Sequence, residues 1–439
     1  MYTSEATEFV PEVLEIAHGF GLEVSADEVM AAMRQARRAN ETRWTPGPTG
    51  QDKWGHSDRA PTECTPKDAG PAGRSHWRAN SPHGSLQGWT PTTVRWHDGK
   101  PFVHWCFTEG IDFTDPFFDD TVSRCLSDPY RLLFWQQRSL DDLVAWAVSH
   151  PGLEPAGLIF HASRCGSTLV AQMFAGLPST LVLSEPAPLD EVLRSRQHEP
   201  GLDDETVAER LRAVVSGLGQ PRRSADERLV IKLDAWAILW WPVIRLAFPA
   251  TPCVFLYREP TEIVASHLAR RGSHMVPGFL APELLIDRTL EDGASCALQD
   301  GASRALQDGV AIARLQEVVE QPPERYCAMV LGALLRAALC VARQGQVHLC
   351  HYRELPGLVP ERLAPLFSVG PRPGGPARFA EAAARDSRNP WLPFASARNP
   401  RPPVAPSVEA AVEEFAGAAY ASLEAERAGA SLAGGVART

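Results

Sequence analysis

From residue 156 onward the chain alternates short runs in which nearly every position is apolar with longer stretches in which apolar residues recur every three or four positions. The short runs Leu158–Phe160, Leu181–Leu183, Leu229–Leu233, Cys253–Tyr257 and Gln346–Cys350 predict strands. The longer stretches Gly166–Gly176, Asp204–Ser216, Trp236–Phe248, Pro260–Arg270 and Val330–Arg343 predict helices. Strand and helix in strict alternation imply βαβ units, and therefore an α/β fold on a doubly wound, mostly parallel sheet.

The pattern before residue 151 is different. Two helical stretches, Glu5–His18 and Ala26–Arg38 with Ser25 as N-cap, predict a helical hairpin. Asn40–Thr90 is rich in Pro, Gly, Ser and Thr, yet carries Trp44, Trp54, Trp77 and Trp89, which an inert linker would not need. Thr92–Trp96 and Phe102–Phe107 flank an Asp98-Gly99 turn and predict a β-hairpin. The aromatic and acidic stretch Phe107–Thr121 reads as a packed strand-to-helix corner, with Pro116 able to start a helix, and Ser139–Ser149 reads as a helix. Asp292–Gln299 recurs at once from Asp300, an eight-residue duplication that reads as an insertion. Pro371–Pro406 is irregular but aromatic. Ser407–Glu426, capped at Ser407, predicts a closing helix before a frayed tail. The expected organisation is an accessory region over 1–150, an α/β domain over 151–400 and a terminal helix over 401–439.

Composition narrows the function classes. With 44% hydrophobic and 22% charged residues in 439, the chain is an ordinary globular protein, and its formal charge of -10 argues against nucleic acid as a partner. Nine scattered cysteines show neither a disulfide framework nor zinc spacing, so no metal is expected and a reducing cytoplasm is the simpler setting. The acidic N-terminus has no signal-peptide pattern. The most apolar stretches are broken by Pro242, Arg245, Pro249, Pro252 and Arg336, so no membrane partner is expected either.

The chemistry concentrates between the first α/β strand and the helix after it. Ser163-Arg164-Cys165-Gly166-Ser167-Thr168 places backbone N–H groups, two hydroxyls and a guanidinium at a helix N-terminus, where orphan donors and the helix dipole favour an anion. A Walker A loop needs glycine five residues before Gly166 and lysine after it; His161 and Ser167 stand there instead. A cation two residues before the glycine and two hydroxyls after it resembles the 5′-phosphosulfate loop of sulfotransferases. Arg164 stands in that loop's basic place, Ser167 and Thr168 in its hydroxyl pair, and Ser163 and Cys165 in its variable places. A second motif follows in order: Arg258, Pro260 and Ser266, eight residues after the arginine, resemble the same family's 3′-phosphate signature. An arginine leaving a strand end is a bidentate phosphate ligand, and a serine two turns into the next helix can reach the same group.

The resemblance spans about residues 156–270, extends loosely toward 400, and touches Phe113–Val122. It implies a P-loop-type fold and 3′-phosphoadenosine 5′-phosphosulfate (PAPS) as donor of a sulfuryl group to a hydroxyl, or as second choice an amine, of a small-molecule or peptide acceptor. The family's histidine base has no counterpart here, because Ile231-Lys232-Leu233-Asp234 offers Asp234 in its place. Ser184-Glu185-Pro186 matches the glutamate that tyrosyl-protein and several bacterial sulfotransferases carry after the second strand. Glu185 is therefore the expected general base, its pKa set by a partly desolvated cleft near cations, with Asp234 as the alternative. Arg164 and Lys232 are expected to neutralise the transferring group, or Lys232 to pair with Asp234. Ser387 and Arg388 are expected as a late contact to donor phosphates, and Cys165 as a small spacer rather than a reactive thiol. Two other classes fit part of the pattern: a P-loop kinase or nucleotide hydrolase with Asp234 on magnesium, and a non-catalytic nucleotide-binding interaction protein.

Overall fold

The computed structural model describes residues 86–128, 131, 135–223, 225–272, 275, 320–370, 375–389, 391–393 and 404–436. The helical hairpin read over 5–38, the tryptophan-rich segment up to residue 85 and the duplication after Asp292 lie outside them.

Five strands form a parallel sheet: β4 (Pro155–His161), β5 (Thr180–Ser184), β6 (Arg228–Lys232), β7 (Cys253–Tyr257) and β8 (His348–His351), in the order β5-β6-β4-β7-β8. Their interiors are continuously apolar because both faces are covered. One face carries Ile159, Val182, Val230, Val254, Leu256 and Cys350, packed on Val170, Met173 and Phe174 of a helix, α3 (Ser167–Ala175), and on Phe367 and Phe379. On the other face the Phe160 ring meets Trp241 at 5.5 Å. The protein is thus an α/β protein with helices on both sides of a parallel sheet. The register brings Ser184 beside Lys232, His161 beside Leu256 and Tyr257 beside His351, so the C-terminal strand ends share one edge. β4 sits between β6 and β7, the position at which doubly wound sheets open a ligand crevice.

Other elements lie outside this sheet. β1 (Trp89–His97), β2 (Lys100–Phe107) and β3 (Gln136–Ser139) make a three-stranded sheet. Its first turn has Asp98 at φ 50° and Gly99 at φ 72°, the left-handed pair that an Asp-Gly hairpin requires. α1 (Phe118–Leu126) follows, starting two residues after Pro116, and Ser139 closes a capping box with Asp142 at the head of α2 (Leu140–Ser149).

Two compact units divide the described chain. One takes in Leu86–Thr90, His104–Glu109 and the described part of Val122–Gln137; the other takes in Pro91–Val103, Gly110–Thr121 and the described residues from Arg138 onward. The first has its own small core, in which Trp89 meets Phe107 edge-on and Arg131 lies over Phe107. The second contains the parallel sheet. It also contains three stretches from before residue 151.

The structure departs from the sequence reading at several ends. Trp236–Phe248 is not one helix: a 3₁₀ turn, Ala237–Trp240, precedes a short α-helix, Trp241–Ala247. Pro242 lacks an N–H and fits only a first turn, so the helix restarts there. The long buried helix begins at Pro323 rather than Val330 and runs to Arg343; it is apolar enough to cross a membrane by length, but 83% of that window is buried inside the protein. The closing helix starts at Pro406 after Ala405, so Ser407 is not its cap. It passes through a π-turn, Glu413–Gly417, and continues through Ala418–Val436, beyond the predicted end at Glu426. Among the described residues six cysteines are free and buried, whereas Cys340 is disulfide-bonded, which no cysteine spacing announces.

Candidate active site

The turn after β4 is built from three left-handed residues, Ser163 (φ 64°), Arg164 (φ 49°) and Gly166 (φ 85°). Two of them are not glycine, which is uncommon in relaxed backbone and concentrates where a loop is held for a purpose. Gly166 has no alternative. A Cβ there would stand 2.7 Å from Leu355 Cδ1 and 3.0 Å from the Tyr352 ring. Such successive turns aim backbone N–H groups at one point, and α3 begins at once with Ser167 and Thr168, both buried in its first turn.

Cys165 faces away from that point. Its thiol donates to the Leu256 carbonyl at 3.2 Å, and burial pushes it up to about 12. The side chain is a buried spacer, as read from the sequence, and only its backbone can meet a ligand.

Arg164 donates to the Arg270 carbonyl at 2.7 Å. Burial, then the neighbouring Arg388 and Arg270 guanidiniums, lower its pKa to about 10. Arg388 is lowered too, by desolvation and by Arg270. Its backbone N–H and that of Asn389 both bind the Asp386 carboxylate at 2.9 Å, a tight turn that presents the guanidinium. Ser387 lies inside this turn. Arg164 and Arg388 therefore come together although 224 positions separate them in sequence, and Arg270, which the sequence reading did not single out, joins them.

Lys232 is wholly buried at the end of β6, where its ammonium pairs with the Glu185 carboxylate, approaches Ser184 Oγ at 3.5 Å and lies 5.0 Å over the Phe117 ring. The sequence alternative that paired Lys232 with Asp234 is not the arrangement found; Glu185 takes that role. Glu185 is itself left-handed (φ 53°), its N–H bound to the Lys232 carbonyl at 2.7 Å. The segment after it is anchored by Glu191, which accepts from Thr93 Oγ1 and Arg95 at 2.7 Å and from the Val94 N–H.

The partly desolvated setting near cations expected for Glu185 acts on its pKa in two opposing directions. Burial opposes its ionisation, but Lys232 and a hydrogen bond from His161 outweigh that and hold the carboxyl below the usual range. Asp234 goes the other way: burial, then the charges of Glu185 and Asp190, push it well up. Asp190, buried under the Trp236 N–H and paired with Arg194 at 2.7 Å, is also raised, by burial first.

Two histidines were not selected from the sequence. His161, the last residue of β4, has Nδ1 3.0 Å from the Ser163 N–H, and Nε2 3.0 Å from the Leu233 carbonyl and 3.3 Å from Glu185 Oε1. His267 has Nε2 3.1 Å from Ser163 Oγ and Nδ1 3.2 Å from the Gly272 N–H. Neither carries a motif; each is a histidine at an apolar strand end or helix, and only the fold shows its partners.

The second phosphate motif is placed less simply. Arg258 leaves β7 and pairs with Glu262, one turn along the helix Pro260–Ala269 that also carries Ser266, while its guanidinium stacks 4.3 Å above the Tyr352 ring. A phosphate binding there has to displace Glu262, which is partly exposed.

Comparison with solved structures finds matches at low similarity. A sulfotransferase from Alicyclobacillus acidocaldarius is 14% identical, over 62% of this chain and 96% of that one, with a TM-score of 0.31. The sulfotransferase domain from the curacin biosynthetic pathway is 14% identical, over 60% of this chain and 97% of that one, again with a TM-score of 0.31. No family model and no curated protein sequence matches the chain. Neither structural likeness assigns an activity to it.

Proposed function

We propose that the protein is a sulfotransferase that moves a sulfuryl group from PAPS to a hydroxyl, or as second choice an amine, of a small-molecule or peptide acceptor. One observation carries the reading: Arg164, Arg270 and Arg388 crowd one another beside a left-handed loop and a helix N-terminus. Like charges held this close favour a shared anion, and the sulfuryl-phosphate bridge of the donor would be such an anion. Arg164, the loop backbone from Ser163 to Thr168, Arg388 and the turn holding Ser387 would hold that end. Arg258 and Ser266 would hold the 3′-phosphate once Glu262 gives way.

In the transfer the acceptor oxygen forms a bond to sulfur, the sulfur–oxygen bond to the 5′-phosphate breaks, and the acceptor proton goes to a carboxylate. The departing product is adenosine 3′,5′-bisphosphate. Glu185 is that carboxylate in this reading. At rest Lys232 makes it a weak base, and a donor anion that draws Lys232 toward the bridging oxygen would return proton affinity to Glu185. Asp234 is the second candidate, favoured by its raised pKa.

The test is binding and then turnover. Adenosine 3′,5′-bisphosphate should raise the melting temperature, and Arg258→Ala should remove most of that rise. Stabilisation by magnesium-ATP alone would overturn the reading in favour of a kinase or hydrolase. Glu185→Gln and Asp234→Asn, each assayed for a sulfated product by mass spectrometry with host extract as acceptor source, separate the two bases. If both variants engage a protein partner and neither they nor the parent chain sulfates anything, the interaction-protein reading stands instead.

A further inference from the structure

His161 has its two ring nitrogens committed to different parts of the site. A backbone N–H can only donate, so the 3.0 Å contact from Ser163 makes Nδ1 the acceptor and leaves the proton on Nε2. That proton points at the Leu233 carbonyl and the Glu185 carboxylate. Ser163 is the first left-handed residue of the loop, and its hydroxyl is held on the other side by His267, whose own Nδ1 accepts from Gly272. A continuous chain, buried at His161, Ser163 and His267, therefore links Glu185 to Gly272. We propose that His161 is a positioning residue with two separable functions: Nδ1 holds the phosphate loop in its left-handed turn, and Nε2–H orients the Glu185 carboxylate.

The proposal rests on Glu185 being the base, as argued above, for its second half only. Its first half concerns anion binding and stands without the transfer reaction. The groups that face the imidazole are Lys232 and Glu185 from the neighbouring strand ends and Ser163 from the loop, with the Leu233 carbonyl between them. Lys232 opposes a positive charge on the ring, and the ring is buried, so the neutral Nε2–H form is the one the site accommodates.

The two nitrogens can be removed one at a time. An asparagine amide falls near Nδ1 and a glutamine amide near Nε2, so His161→Asn keeps an acceptor for Ser163 and loses the donor to Glu185, whereas His161→Gln does the reverse. One lost hydrogen bond of this kind corresponds to about a tenfold effect. His161→Asn should bind pyrophosphate and adenosine 3′,5′-bisphosphate within about twofold of the parent, lower kcat about tenfold and move the acid limb of the pH–rate profile to higher pH. His161→Gln should weaken both ligands about tenfold by calorimetry and raise the donor KM with a smaller change in kcat. Equal losses of binding and kcat in both variants would overturn the separation of functions. The tautomer gives a check without substitution or turnover: ¹⁵N chemical shifts of the His161 ring should report protonated Nε2 and bare Nδ1, and the opposite tautomer would refute the proposal. If the bisphosphate fails to bind the parent chain while the tautomer and the pyrophosphate results hold, the donor assignment falls and the loop function of His161 remains.

Discussion

Lys232→Met is the perturbation that speaks most directly to the centre of the site. Methionine keeps most of the volume of the lysine stem, so packing against Phe117 changes little, but the buried ammonium disappears and Glu185 loses its counter-charge. Glu185 limits the damage by taking a proton. Against an ordinary carboxylate value of 4.5, remaining protonated at pH 7 spans two and a half pH units, or about 3.4 kcal/mol at ~1.36 kcal/mol per unit. At pH 5 the same escape costs only about 0.7 kcal/mol. Denaturant unfolding of parent and variant at the two pH values should therefore show a loss approaching ~3 kcal/mol at pH 7 that shrinks below ~1 kcal/mol at pH 5. Adding Glu185→Gln to Lys232→Met should recover most of the neutral-pH loss, because the charge that needed the lysine has gone. A loss of equal size at both pH values, or a double variant as unstable as the two single losses added, would refute the pairing as the source.

Gly166→Ala should lower stability by about 1–2 kcal/mol for the left-handed backbone alone, and its Cβ must also push Leu355 and Tyr352 aside, so bisphosphate binding by calorimetry should weaken with it; unchanged binding would mean the loop does not contact the ligand. Cys165 should stay unmodified by iodoacetamide at pH 8 in the folded protein and react once unfolded, read by peptide mass spectrometry, because its thiol is buried and pushed up to about 12. Burial and Lys232 hold His161 below its ordinary 6.5, so as pH falls through 6.5 the unfolded chain takes up a proton that the folded chain refuses and stability declines. The His161→Asn variant should show a shallower decline, by at most about 1.4 kcal/mol per pH unit, and an identical slope would remove His161 from the linkage.

The strands were legible because a sheet covered on both faces leaves short runs such as Cys253–Tyr257 almost wholly apolar, set between turn residues. The turn after β4 was legible for a related reason: Gly166 is the residue that the close approach of Tyr352 and Leu355 permits, and it marks the turn. What could not be read was partnership. Lys232 and Glu185 stand 47 positions apart, and either could have met Asp234; only the pairing of Ser184 with Lys232 across β5 and β6 decides it. The direction of the Glu185 pKa follows from that same pairing, so it too needed the fold. Arg270, His161 and His267 lack any spacing signal, because a buried histidine or a helix-end arginine looks alike in sequence whatever it is bound to.

The order of the parallel sheet has a consequence for when the site can exist. β4 lies in the middle of the sheet but is the first of its five strands to be made, and its two neighbours begin only at Arg228 and Cys253. A chain emerging from the ribosome at about 5–20 residues per second holds that central strand without either partner for several seconds. Pairings this distant in sequence form late, since the intervening chain must be closed into a loop first. A stalled or truncated chain ending before β7 has the loop after β4 in its sequence but not in its shape, because Leu256 receives both the Ala162 N–H and the Cys165 thiol beneath it. The shape of that loop is in that sense a record that synthesis has passed β7.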